Sequence, residues 1–278
     1  MTNLSFVDNK ALSIGVDGKE GRRNAMSLVN LAYHKNGFFW DGRVASLEEQ
    51  ALVPVEDPVE LHNNWDTLVE KLKVHEKYPL MFRKAFGIEK VREIDKFMVV
   101  KAIAQFERSL VSSGESKFDK MKRGELEFTS DEQIGFDMFF DISPEYKDAE
   151  CAHCHNVPFM TTSQYFNNGI TEAKSLEEFE DKGLGAITGD RFDIGKFKAP
   201  TLRNIELTAP YMHDGRFKTL EEVIEHYSSG GKYSETVSPL IRPLKLNKTE
   251  KRQIVAFLKT LTDTIFIKNP EIQPPNKY

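Results

Sequence analysis

The sequence predicts a mainly α-helical protein, and three observations carry that prediction. Apolar residues recur at helical spacing in several segments, capping signals stand before them, and no repeated strand alternation appears. The chain has 278 residues, 40% of them hydrophobic, enough to build a sizeable core in one or two domains.

Along the chain, Val99, Ile103, Phe106 and Leu110 mark one face of a helix expected over residues 92–110. "SSGESKF" (112–118) then reads as a connection, with a boundary near residue 113. Ser130 with Gln133 reads as a capping box opening "DEQIGFDMFF". Gly135 and Phe139 on that segment let it cross the closing helix closely, because glycine permits backbone approach. Residues 156–215 are punctuated by Pro and Gly and read as long loops. Thr219 with Glu222 caps the next helix, where Leu220, Val223, Ile224 and Tyr227 share an inward face and His226 falls on the polar side with Glu222. Asn247 or Thr249 caps "EKRQIVAFLKTL", whose apolar stripe is Ile254, Phe257, Leu258 and Leu261. The final "NPEIQPPNKY" reads as a non-helical surface segment.

Composition excludes several functions. A formal net charge of −5 without a basic run argues against a nucleic-acid partner. No apolar stretch is long enough to span a bilayer, and no signal segment opens the chain. Two cysteines are too few for a disulfide scaffold.

Both cysteines fall in "ECAHCHNVPF", as Cys151, Cys154 and then His155. Thiols at this spacing can add to the two vinyl groups of haem, and the adjacent histidine is placed to ligate the iron. Zinc would need further ligands at metal-ligand spacing, and none follows. A redox pair would sit after a strand in a βαβ unit, whereas Phe-rich helical sequence precedes this one. The motif and its helical frame therefore point to haem c in a cytochrome c-like domain.

Longer stretches sharpen this reading. "ALSIGVDGKEGRRNAMSLVNLAY", "FFWDGRVASLEEQALVPVEDPVEL", "CAHCHNVPF", "FKAPTLRNIELTAPYMHDGRFKTLEEVIEHY" and "AFLKTLT" stand here in that order. Over nearly its whole length the chain resembles the bacterial dihaem cytochrome c peroxidase and MauG family. The resemblance implies two cytochrome c-like helical domains, each with a haem, and calcium between them. Residues 1–112 then correspond to an N-terminal peroxidatic domain, and residues 113–278 to the domain carrying the Cys151 motif. Family members have a first CxxCH just before the stretch resembling "NLSFVDNKALSIG". The N-terminal domain is therefore expected to be incomplete, with the signal peptide lost alongside that motif. The implied activity is reduction of hydrogen peroxide in the periplasm. Electrons would come from a small donor such as a cytochrome c or a cupredoxin, and a homodimer is compatible with the resemblance. The alternative is a single-haem electron carrier or an inactive fragment.

The resemblance also implies roles for single residues. Glu60, Gln50 and Trp40 match the peroxide site, with Trp40 between the haems as an electron relay. Val16 stands where dihaem peroxidases with a removable histidine carry that ligand, so a MauG-like open first haem is expected. Tyr227 is the expected sixth ligand of the second haem, and Met212 is its rival, since thioethers commonly ligate cytochrome c iron. Arg203 is expected on a propionate, with His213 reaching a propionate or water at the haem edge. The calcium ligands map to the Asn24 side chain and the carbonyls of Thr208 and Pro210.

Overall fold

The computed structural model describes residues 4–274. Residues 4–46 wind without a long helix, through a 3₁₀ turn at Leu31–Tyr33. Four helices follow: α1 (Leu47–Glu56), α2 (Trp65–Val74), α3 (Tyr78–Phe86) and α4 (Lys96–Ser109). Ser46, Asn64 and Asp95 cap α1, α2 and α4 by accepting from backbone N–H groups that the first turn leaves unpaired. Ala51, Val55, Trp65, Val69, Phe82, Ile94 and Val100 fill the core between these helices.

A second core spans residues 118–261. It gathers α5 (Lys117–Lys122), α6 (Ser130–Phe140), α8 (Leu220–Ser229) and α9 (Lys248–Lys259), while the short α7 (Gly185–Thr188) lies in the loops between. The only paired strands among the described residues, β1 (Tyr165–Phe166) and β2 (Phe197–Lys198), run antiparallel. At the crossing of α6 and α9, a Cβ on Gly135 would collide with the Gln253 carbonyl. Around that crossing the Phe257 ring meets Phe118, Phe136 and Phe139, with centroids 6.0, 5.6 and 5.0 Å away.

The two cores are tied together near the expected boundary. Buried Asp263 caps α10 (Thr264–Lys268) and accepts from the Ser113 N–H at 2.6 Å and the Ser113 hydroxyl at 2.7 Å. Val29, Leu110, Phe266 and Ile272 form a small cluster beside it.

The structure shifts several local expectations. Helix α4 starts at Lys96 rather than 92, and Ile103 and Phe106 are 38% and 45% exposed. The buried positions are Val99, Val100, Ala104 and Glu107. Small Ala104 meets Leu47 and Phe38, so close approach of α1 chose the face rather than the largest side chains. The α6 cap is Thr129 with Glu132, one residue earlier than the Ser130 box. Asn247, not Thr249, caps α9, and Thr219 with Glu222 caps α8 as the spacing predicts. In the closing segment Pro270–Ile272 forms a 3₁₀ turn and Ile272 is buried, while residues 275–278 lie outside the described range.

Candidate functional site

Between α6, α8, α9 and the loops lies an apolar cavity of about 1520 Å³, its open mouth included. Cys151, Cys154 and His155 line one part of it, and Met212 and Tyr227 also line it. Phe139, Leu220, Ile224 and Leu258 supply apolar wall, so the space suits a large flat apolar group.

Backbone bonds fix the cysteine loop. Ala149 and Ala152 donate to the Met138 and Phe139 carbonyls at the end of α6, at 2.9 and 3.2 Å. The Cys154 and His155 N–H groups both turn back to the Cys151 carbonyl, at 3.2 and 3.0 Å. One tight turn thus carries both thiols and the imidazole. His155 Nδ1 faces the carbonyls of Pro200 at 3.0 Å and Met160 at 3.3 Å. Carbonyls only accept, so Nδ1 holds the proton and Nε2 is left with a lone pair. Burial keeps the ring neutral, pulling its pKa down to about 4. Such an imidazole is ready to bind a metal.

Burial pushes the Cys151 thiol up to about 12 and the Cys154 thiol up to about 11. Thiols held neutral this way lack the low pKa of a reactive redox pair. Zinc fits no better. The one His/Cys/Asp/Glu cluster at metal spacing among the described residues is Asp148, Glu150 and His153, without either cysteine. His153 and Arg242 already satisfy the Glu150 carboxylate there.

Met212 and Tyr227, the two residues expected to compete for the iron, share one donor. Asn168 Nδ2 lies 3.3 Å from Met212 Sδ and 3.4 Å from the Tyr227 hydroxyl. His226 does not simply face solvent with Glu222. Its Nε2 lies 2.9 Å from the Asn168 backbone carbonyl and is half-buried, which anchors the Asn168 backbone. Burial pushes the Tyr227 hydroxyl up to about 12, and the Asn168 bond opposes this. Asn168 was not legible in the sequence, because nothing local distinguishes it from other loop asparagines.

The remaining expected residues divide. Buried Trp40 lines the cavity and donates from Nε1 to the Asn24 carbonyl at 2.9 Å. His213 lines it too, stacked on Phe197 with centroids 3.6 Å apart, and burial draws its pKa down to about 4. Asn24, Thr208 and Pro210 all lie along the same wall. The Asn24 amide N donates to the Lys10 and Ala11 carbonyls, leaving its oxygen available. Glu60 and Gln50 do not line the cavity. Gln50 sits on α1, and Glu60 follows that helix with its pKa raised by burial and by Asp57, against Arg43 and Arg22. Exposed Val16 donates its N–H to the Glu60 carbonyl at 2.9 Å. Arg203, expected on a propionate, is buried and off the cavity wall, where it binds Asp119 and the Pro158 carbonyl. Asp119 lies far away in sequence, which no local spacing could reveal.

Comparison with known proteins identifies the family. The family described as di-haem cytochrome c peroxidase matches residues 1–127. Cytochrome c551 peroxidase of Nitrosomonas europaea is 37% identical over 99% of this chain and 76% of its own length. MauG, a methylamine utilization protein of Methylorubrum extorquens, is 35% identical over 93% of this chain and 70% of its own. The chain belongs to the dihaem cytochrome c peroxidase and MauG family. Among solved structures, a MauG-like protein associated with microbial copper homeostasis superposes with a TM-score of 0.88 at 33% identity, covering 99% of this chain and 85% of that one. Membership makes the chain a haem c oxidoreductase of the peroxidase type, with a helical cytochrome c-like fold. No helix among the described residues is long and apolar enough to cross a membrane.

Proposed function

We propose that the chain holds one haem c on Cys151 and Cys154, with His155 Nε2 on the iron, and belongs to a hydrogen peroxide-reducing enzyme in which this haem passes electrons to a peroxide site in the N-terminal part. One observation carries the reading: His155 is locked by the Pro200 carbonyl with its free nitrogen on a cavity that both thiols also line. The haem would supply an iron that accepts and passes single electrons. Tyr227 is the proposed second iron ligand, with Met212 the rival, and Asn168 steadies both.

The chain's own residues then take distinct tasks. Trp40, buried against the cavity wall, passes electrons towards the α1 side, and the domains meet near residue 113. Glu60, raised by burial and away from that cavity, is the proton acceptor and donor at the separate N-terminal peroxide site that the family resemblance implies, assisted by Gln50. His213 serves the haem edge, and Asn24, Thr208 and Pro210 hold calcium through oxygens. Haem attachment to CxxCH assigns the work to the periplasm, with a small cytochrome or cupredoxin as donor.

A second reading has an observation of its own. Glu60 and Gln50 lie away from the cavity, as a single-haem electron carrier would allow. Peroxide consumption with a reduced small cytochrome separates the two. A peroxidase oxidises donor in proportion to peroxide lost, and Glu60→Gln lowers turnover roughly 10²-fold. A carrier exchanges electrons with the donor but leaves peroxide intact.

A further inference from the structure

Lys198, in "FKAPTLRN", is the cation the site leaves unanswered. It lies on β2, is only 6% exposed, and lines the same cavity as Cys151 and His155. Its backbone N–H donates to the Trp40 carbonyl at 2.9 Å, but its ammonium has no hydrogen bond or ion pair among the described residues. The neighbouring cation behaves differently. Arg23, which lies over the Phe197 ring, pairs with both Asp41 and Asp181. A buried ammonium without a partner is strongly disfavoured, and an anion beside it removes the penalty. No carboxylate among the described residues does so here.

We propose that Lys198 is the anchor for a carboxylate of the bound group, pairing with a haem propionate at the Trp40 side of the cavity. The inference rests on the haem reading above. It has support in the lysine's own tendency: burial draws its pKa down to about 8, and a propionate would restore the charged form. His34, whose charge state Lys198 influences, stays neutral at its side and offers no negative charge. An ammonium beside the haem disfavours the ferric state, so its removal favours oxidation.

The test compares exported wild type, Lys198→Met and Lys198→Arg, reading haem per chain and the reduction potential. The expected result is haem in all three, a lowered potential in Lys198→Met, and a near-native potential in Lys198→Arg. A haem-loaded Lys198→Met with the wild-type potential would overturn the proposal. A wild type without haem would instead overturn the reading on which it rests. Should Lys198→Met fail to accumulate, reduced-minus-oxidised infrared spectra of the wild type decide. An ammonium band that moves on ¹⁵N-lysine labelling supports the pairing, and its absence rejects it.

Discussion

Both carboxylate oxygens of Asp119 lie 2.8 Å from Nη1 of Arg203, and the pair is nearly closed to solvent. Removing the guanidinium would strand a charge inside the C-terminal core. Arg203→Met should therefore cost about 3–5 kcal/mol of stability. The haem spectrum should hold until unfolding, because Arg203 does not line the cavity. Denaturant titration of the two proteins, followed by the Soret band, checks both halves.

Gly135 makes a sharper demand on the fold. A methyl group there meets the Gln253 carbonyl and comes 3.0 Å from the Phe257 Cβ, with backbone on one side and a packed ring on the other. Gly135→Ala should destabilise by about 1–3 kcal/mol, despite alanine's better helix propensity. Thermal melts that show no loss would mean that α6 and α9 can separate without penalty.

These sites show what the sequence could and could not disclose. The Thr219–Glu222 box and the Cys151 loop were legible because their partners lie within a few residues. The α6 cap slipped by one residue, since Thr129 and Ser130 are adjacent hydroxyls and only geometry selects between them. The α4 face was misjudged because helix approach favoured Ala104 over Ile103 and Phe106. Asp119 for Arg203, Asn168 for Met212 and Tyr227, and the unpaired Lys198 all depend on distant segments meeting. The fold class and the haem motif were local facts. The surroundings of the haem were not.

Tyr227, rather than Met212, should complete the iron's coordination. A phenolate favours ferric iron, whereas a thioether favours ferrous. Tyr227→Phe should alter the Soret and charge-transfer bands and raise the potential, while Met212→Leu leaves the spectrum largely intact. The opposite pattern would assign the ligand to Met212.

His34 should make the fold sensitive to acid. Its Nε2 lies 2.6 Å from the Gly37 carbonyl and its Nδ1 2.9 Å from the Ser163 hydroxyl, so the neutral ring is fully partnered. Burial, aided by Lys198, pulls its pKa from 6.5 to about 4. The unfolded chain then binds more protons between those values, so stability is full above pH 6.5 and falls as pH drops towards 4. The contribution is about 1–2 kcal/mol after allowance for partial exposure. His34→Gln should flatten that part of the stability–pH curve, and an unchanged slope would remove His34 from the account.

Cys151, Cys154 and His155 should together hold a haem. Its most direct test is haem per chain by the pyridine haemochrome assay, on protein exported with a haem-attachment system. One covalent haem per 278-residue chain is expected, lost when Cys151 and Cys154 are both changed to alanine. A colourless, zinc-loaded wild type under the same conditions would contradict it.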